Sequence, residues 1–253
     1  HFSYDEEIAP AMLPLFLANG ITYVRDTGGP INKVRYWKAV ANGKLTEAPE
    51  VFIAGPLLDG VPTIYTGENP TRPVLAQTVA TPEEGIEAVN TLEQNGVDLI
   101  KAYEMLSPNQ FNILTELAKK NGLKLTGHVP LSLNVEIASS LGLNSIEHFR
   151  NIELSMTNQA DELLEERKSI LYNKSGLKGS KLRSLLHAKQ RMKSIYNLDS
   201  SRIEKVVDIL AKNDTWQIPT LKLYKNFAFK SYKEKESWWN YNINTVAKNQ
   251  YSR

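Results

Sequence analysis

The chain has 253 residues, enough for one large domain or two small ones. Its composition, 42% hydrophobic and 23% charged, is typical of a globular protein, and a net charge of +2 gives no reason to expect a nucleic-acid or membrane partner. The chain contains no cysteine, which excludes disulfides, thiolate metal sites and cysteine nucleophiles. No apolar run approaches the roughly 20 residues of a transmembrane helix.

Short apolar runs alternate with polar helical segments along the chain. The predicted strands are residues 21–24, 51–54, 97–103, 123–126, 143–149 and 216–221. This alternation indicates parallel strands joined by crossover helices, either in a doubly wound sheet or in a (β/α)8 barrel. Gly28-Gly29 follows the first run without the G-x-G-x-x-G spacing of a phosphate loop, so we read it as a turn and favour the barrel.

Start and stop signals bound several of the predicted helices. Thr81-Pro82-Glu83-Glu84 and Ser107-Pro108-Asn109-Gln110 are each typical of a capped helix start, with proline at the first helical position. Gly96 and Gly122 are predicted to end these two helices. A third helix is predicted to open at Ser201-Arg202-Ile203-Glu204.

Residues 151–200 interrupt the rhythm of strands and helices. The stretch is polar and has helical periodicity on both sides of Ser175-Gly176, which indicates a helical insertion after the fifth predicted strand. It could act as a lid over a site, but we favour a solvated helical decoration. The tail, 224–253, reads as helix or loop. We treat 1–253 as one catalytic-barrel domain with 151–200 inserted in it.

Lys101, His128 and His148 lie at the ends of three successive predicted strands. In a barrel, the carboxyl ends of the strands form the active-site face. Tyr103, two residues beyond Lys101, points to the same side and could contact substrate, although packing is its simpler role. His187 lies in the insertion and is expected to be non-catalytic.

Metal binding is the chemistry that this trio suggests. Neutral imidazoles are good ligands for zinc and related divalent ions. A protonated lysine has no lone pair, but a lysine carbamate offers two oxygens that could bridge two cations about 3.5–4 Å apart. Simpler roles exist: each histidine could serve only as a hydrogen-bonding residue, and Lys101 could merely pair with Glu104 or Glu147.

Segments of the sequence resemble the amidohydrolase superfamily, in its imidazolonepropionase-like and Xaa-Pro-dipeptidase-like branch. The similar segments run nearly continuously to about residue 150 and again over about 202–224. The motifs that carry the resemblance are GITYVRDTGG (20–29), AGPLLDG (54–60, similar to the family's third-strand loop), DLIKAY (98–103), TGHVP (126–130), SIEHF (145–149) and IPTL (218–221).

The resemblance implies a TIM-type (β/α)8 barrel with one or two divalent metal ions, zinc first among them. Lys101 would be carbamylated and bridge the metals, His128 and His148 would bind one ion, and His1 would help to bind the other. The implied reaction is hydrolysis of an amide, peptide or cyclic amide C–N bond by metal-activated water. The implied partner is a small amide or dipeptide.

Two departures from the family pattern suggest a fragment. His1 resembles the second histidine of the family's first-strand His-x-His, and no aspartate follows a strand after residue 221 as a counterpart of the family's eighth-strand ligand. Asp214 precedes the seventh strand and cannot serve. We therefore expect the chain alone to have weak or no activity, its true N-terminus to be missing, and exposed strand edges to favour a homo-oligomer. A bacterial cytoplasm or periplasm fits this reading.

Two other functions remain open at this stage. Lys101 could form a Schiff base in an aldolase-like barrel, with the histidines as acid–base groups. Alternatively, the chain could be a catalytically inactive barrel used for binding or assembly.

Overall fold

A computed structural model describes residues 1–43, 47–69, 72–173 and 176–228. Helices and strands alternate through them. In chain order the elements are α1 (Ile8–Ala18), β1 (Tyr23–Asp26), α2 (Ile31–Gly43), β2 (Glu50–Ile53), β3 (Leu57–Asp59), β4 (Thr66–Asn69), β5 (Arg72–Val74), β6 (Ala76–Thr78), α3 (Pro82–Gln94), β7 (Leu99–Ala102), α4 (Pro108–Lys120), β8 (Lys124–Gly127), α5 (Val135–Leu141), β9 (Ser145–Glu147), α6 (Ala160–Tyr172), α7 (Gly179–Tyr196), α8 (Ser200–Lys212), β10 (Trp216–Ile218) and α9 (Leu221–Ala228).

Within the described residues, the main sheet has six strands in the order β10-β9-β8-β7-β3-β6, and all of its pairings are parallel. A separate parallel pair, β1-β2, is connected to it, because the Asp98 amide just before β7 donates to the Ile53 carbonyl at 2.9 Å. β4 and β5 form an antiparallel pair. The fold is therefore α/β with a parallel sheet, as predicted.

All six predicted strands overlap an observed strand, with ends that differ by a few residues. The sequence did not predict β3 to β6. Leu57–Asp59 was read as part of a loop, but it pairs with both β6 and β7 in the main sheet. Gly55, with a φ of 73°, lies between β2 and β3. The pattern revealed only strands that overlap apolar runs of four or more residues, and none of β3 to β6 lies in such a run.

The predicted helix starts at residues 81 and 107 are confirmed. The Thr81 hydroxyl accepts from the Glu84 amide at 3.2 Å, and Ser107 with Gln110 forms a complete capping box. The third predicted start is displaced by two residues. Asp199, whose carboxylate accepts from the Arg202 amide at 2.9 Å, caps α8 in place of Ser201. A carboxylate is as good a cap as a hydroxyl, and the sequence pattern did not separate them.

Residues 151–200 contain α6 and α7, and α7 is not a solvated decoration. Leu182 and Leu186, one helical turn apart, are buried against Leu57 and Tyr103 in a second hydrophobic cluster beside the strand ends. The expectation of a solvated insertion was wrong because the apolar face of α7 is narrow and is surrounded by polar residues. Residues 229–253 of the tail lie outside the described residues, and α9 accounts for 221–228. No described helix has the length and apolar character needed to cross a membrane.

The packing of α3 on the sheet gives a test of this fold. Leu92 is buried in the main core, whereas Ile86 on the same helix is 42% exposed. We expect Leu92→Ala to lower the free energy of unfolding by about 2–5 kcal/mol, because it removes buried methyl groups and leaves a cavity. Ile86→Ala should change it by less than about 1 kcal/mol. Urea unfolding followed by circular dichroism measures both; equal losses would contradict this placement of α3.

Candidate metal centre

Lys101 lies on β7 with its amine buried beneath the ends of the strands. Its Nζ contacts the Glu147 carboxylate and lies 3.3 Å from the Thr27 hydroxyl. Burial raises the pKa of Glu147, but the nearby charge of Lys101 and its hydrogen bond to the carboxylate outweigh this effect, and the pKa falls to about 2. Lys101 therefore has a carboxylate partner, the simpler role that the sequence also allowed, and the partner is Glu147 rather than Glu104.

His128 follows β8 and is held from behind by a carboxylate. Its Nδ1 lies 2.7 Å from Glu104 Oε1, while its Nε2 is buried with no hydrogen-bond partner among the described residues. Burial lowers the pKa of His128, against the raising effect of Glu104. Since Glu104 can only accept when ionised, Nδ1 carries the proton, and the free lone pair is on Nε2.

Glu104 itself is fully buried. Burial raises its pKa, but contacts with His128, His187 and Arg183 hold it well below its ordinary value, so the carboxylate is ionised. The sequence pointed to Glu104 only as an alternative partner for Lys101. Nothing in the sequence near residue 104 indicates that His128 is its partner, because the two residues lie on neighbouring strand ends.

His148 follows β9 and is held by a hydroxyl. Its Nδ1 lies 2.9 Å from Thr220 Oγ1, which donates its own proton to the Pro219 carbonyl. Nδ1 of His148 is therefore the donor, and Nε2 again carries the lone pair, 3.8 Å from Glu147 Oε2. Burial, together with the charge of Lys101, lowers the pKa of His148 to about 4. The imidazole is neutral at physiological pH.

Glu147 and His148 reach the same space although they are consecutive. In a regular strand, consecutive side chains point to opposite faces. His148 has a φ of 62°, in the left-handed region, so the strand alternation ends at Glu147 and the imidazole turns back toward it. Sequence reasoning assigned no ligand role to Glu147, since only this backbone turn brings the two side chains together.

The result is a group of three residues that could hold a metal ion. His128, Glu147 and His148 each offer a ligand atom, and these atoms all lie within 4.8 Å of one another. The buried, unpartnered Nε2 of His128 fits such an ion, because an orphaned buried acceptor costs free energy unless something binds it. Two imidazoles and a carboxylate are a common ligand set for zinc and related ions.

His1 occupies a neighbouring position. Its Nδ1 lies 3.7 Å from Asp26 Oδ1, and a Cβ on Gly28 would be 2.6 Å from its ring, so glycine at this position makes room for the imidazole. Thr27, which follows Asp26, reaches Lys101. His1 is not part of the group formed by His128, Glu147 and His148. Its role as a ligand for a second ion stays a prediction.

Tyr103 forms a wall of the site. Its ring centroid lies 4.5 Å from that of His128, and its hydroxyl accepts from Arg183 Nη1 at 2.9 Å. The side chain is buried within the second hydrophobic cluster. Burial and the charge of Glu104 raise the pKa of Tyr103 well above its ordinary value, so the phenol is neutral. Packing against His128 is its observed contact, and contact with substrate stays a prediction.

The insertion also reaches this site, which the sequence did not predict. His187 on α7 has its Nε2 3.2 Å from Glu104 Oε2, and Arg183, one turn earlier, has its Nη1 3.9 Å from Glu104 Oε1. His187 was expected to be non-catalytic, and it lies behind Glu104 rather than in the group of candidate ligands. The i, i+4 spacing of the two residues was visible in the sequence, but their target was not.

Comparisons with known proteins give a fold relationship. Neither protein-family models nor curated proteins gave a match. Among solved structures, a Xaa-Pro dipeptidase with bound methionine in its active site is similar over 96% of this chain and 51% of its own, with 16% identity and a TM-score of 0.56. An amidohydrolase is similar over 83% of this chain and 57% of its own, with 18% identity and a TM-score of 0.50.

At these identities the likeness establishes a shared fold. The chain spans about half the length of each of the two structures. The α/β architecture with a parallel sheet is therefore common to all three proteins over the aligned residues.

The buried pair of Lys101 and Glu147 predicts how stability depends on pH. The pKa of Glu147 is lowered from 4.5 to about 2 in the folded chain, so its contribution is complete above about pH 4.5 and is lost as the pH falls toward 2. At pH 7, Glu147→Gln should destabilise the fold by about 3–5 kcal/mol, because it leaves the buried ammonium unpaired.

The matched control is Glu165→Gln, which breaks the exposed Glu165–Lys168 pair and should cost less than about 1 kcal/mol. Urea unfolding from pH 7 down to pH 3 measures both variants. The difference between wild type and Glu147→Gln should shrink as the solution becomes acidic. A constant difference would show that the Glu147 carboxylate is not the ionised partner of Lys101.

Proposed function

We propose that this chain forms part of the catalytic (β/α)8 barrel of a metal-dependent amidohydrolase, which hydrolyses amide, peptide or cyclic amide C–N bonds. The observation that supports this most directly is Nε2 of His128, which is buried without a hydrogen-bond partner among the described residues, in a residue that forms one small group with Glu147 and His148. The sequence motifs and the fold shared with a Xaa-Pro dipeptidase and an amidohydrolase support the same reaction class.

His128, His148 and Glu147 would hold a divalent cation, with zinc the first candidate, and His1 would contribute to a second ion. A bound cation would supply Lewis acidity and a water molecule of lowered pKa. The protein's own residues prepare the site. Glu104 and Thr220 fix the tautomers of the two imidazoles, and burial keeps both rings neutral, so protons do not compete for Nε2 at physiological pH.

Lys101 has two possible states in this proposal. As an ammonium ion it neutralises Glu147, which is the contact in the structure. As a carbamate it would be a second anion beside Glu147. Two adjacent buried anions need a cation to compensate them, so we expect carbamylation of Lys101 to depend on bound metal.

Dipeptides, including those ending in proline, are the first substrates to test, because the chain shares the fold of a Xaa-Pro dipeptidase. Loops select the substrate in barrels of this kind, and the chain spans about half the length of its structural relatives. We also propose a homo-oligomer, in which a second copy covers exposed strand edges.

The Schiff-base alternative receives no support from the site. A Schiff base and a carbamate both require a free Lys101 amine, but the group of three candidate metal ligands favours the metal-dependent reaction. The alternative of an inactive binding module would leave the orphaned Nε2 of His128 without a function.

A metal and activity assay tests the proposal. The longest natural form of the protein is loaded with zinc and dialysed, and elemental analysis should show that it retains zinc. It should also hydrolyse one or more members of a panel of dipeptides, N-acyl amino acids and cyclic amides. His128→Ala and His148→Ala should each lower zinc content and reduce kcat/KM by on the order of 100-fold or more, since loss of even an outer partner of a ligand costs about 10–100-fold.

Glu165→Gln, which alters an exposed ion pair far along the chain from these residues, is the control and should behave as wild type. A protein that binds no zinc, and whose Lys101 is trapped by borohydride with a carbonyl substrate, would contradict the proposal in favour of Schiff-base chemistry. Zinc content unchanged in both histidine variants would also contradict it.

A further inference from the structure

Helix α7 of the insertion presents one continuous face to the site. Leu182 and Leu186 on this face are buried in the second hydrophobic cluster, and Arg183 and His187, each one residue later, lie beside them. Both pairs have i, i+4 spacing, so packing of the leucines fixes the positions of the Arg183 and His187 side chains. Gln190 continues the face and accepts from Arg167 Nε at 2.8 Å, which connects α7 to α6.

Two routes of direct contact lead from α7 to His128. In the first, His187 Nε2 lies 3.2 Å from Glu104 Oε2, and Glu104 Oε1 lies 2.7 Å from His128 Nδ1. In the second, Arg183 donates to the Tyr103 hydroxyl at 2.9 Å, and the Tyr103 ring lies 4.5 Å from the His128 ring. Glu104 and Tyr103 are both buried. The ring of His128 is thus supported at its edge and at its face by residues that α7 holds.

We propose that Arg183 and His187 are positioning residues that make metal binding at His128 depend on docking of the insertion helix. The proposal rests on the function proposed above and deepens it: α7, packed on the site, fixes the ring of His128 for metal binding. Neither residue is a ligand. Each acts through one intermediate side chain, His187 through Glu104 and Arg183 through Tyr103.

The physical reason is the geometry required of a histidine ligand. An imidazole binds a cation well only when its lone pair points at the ion, and the partner of the other ring nitrogen sets this direction. A carboxylate on a strand end has several rotamers, and a second contact on its far oxygen restricts them. His187 Nε2 provides that contact at ion-pair distance, without the alignment of a hydrogen bond, and no other described residue approaches Glu104 Oε2 as an ion-pair partner.

The experiment compares His187→Ala, His187→Gln and wild type in two measurements. The first is the affinity for Zn²⁺, measured by competition with a chromophoric chelator. We expect about a tenfold loss in His187→Ala, because removal of outer partners of a metal ligand costs about 10–100-fold. His187→Gln should recover most of the affinity, because the glutamine side-chain amide can take the place of Nε2. Arg183→Met should lose affinity while keeping the aliphatic stem.

The second measurement uses the metal-free protein. Nitrogen NMR of the imidazoles should show His128 as the single Nδ1–H tautomer in wild type and as a mixture in His187→Ala. Lys189→Ala, which removes a charge from the exposed side of α7, is the control and should match wild type in both measurements. Unfolding midpoints in urea should show that all variants compared are folded. If His187→Ala does not fold, His187→Asn, whose shorter amide does not reach Glu104, replaces it.

The two measurements separate the two proposals. Equal zinc affinity and an unchanged His128 tautomer in His187→Ala would overturn the positioning role. Wild-type protein that binds no zinc would overturn the proposed function, while a change of tautomer in His187→Ala would still support positioning of His128 by α7. Failure of His187→Gln to restore either property would mean that His187 acts only by packing, which also overturns the inference.

Discussion

The arrangement of the site depends on the burial of the Lys101 amine. A buried ammonium without a partner is strongly unfavourable, and Glu147 supplies the compensating carboxylate. The two residues come from β7 and β9, so their contact passes across β8, which lies between these strands in the sheet. The pair therefore requires the parallel strand order, and it holds the Glu147 carboxylate at the point where His128 and His148 also arrive.

Two buried glutamates have different roles in the site. Glu147 lies among the candidate ligands and carries the charge that Lys101 balances, whereas Glu104 lies behind His128 and fixes its tautomer. Thr220 has the corresponding role for His148. Both imidazoles consequently carry their lone pair on Nε2, and both are neutral at physiological pH because burial lowers their pKa values. This combination of neutral nitrogen donors and one ionised carboxylate is what a divalent cation requires.

The insertion, which the sequence suggested to be a solvated decoration, packs against the site. Its leucines contribute to the same hydrophobic cluster as Tyr103, and its polar residues contact Glu104. An amphipathic helix that covers strand ends in this way excludes water from buried ion pairs, and exclusion of water strengthens every electrostatic interaction beneath it.

Local signals in the sequence were enough to predict the alternating strands and helices. The sequence predicted the strands that overlap apolar runs of four or more residues, because hydrophobic periodicity marks them. It also predicted the helix caps at Thr81 and Ser107, because their hydrogen bonds join near neighbours. The strand ends in turn located Lys101, His128 and His148. The short strands β3 to β6 could not be predicted, since none of them lies in an apolar run of four or more residues.

Only the tertiary structure decided which side chains meet. The left-handed φ of His148 turns Glu147 and His148 toward one space, and the docking of α7 selects Glu104 as the target of His187. The first contact depends on a single backbone turn, and the second joins residues that are far apart in the sequence. A periodic pattern predicts neither kind of contact. The sequence by itself thus determined the strands and the chemical types at their ends, while long-range packing determined the partners, because burial of charge is satisfied only when the folded chain brings opposite charges together.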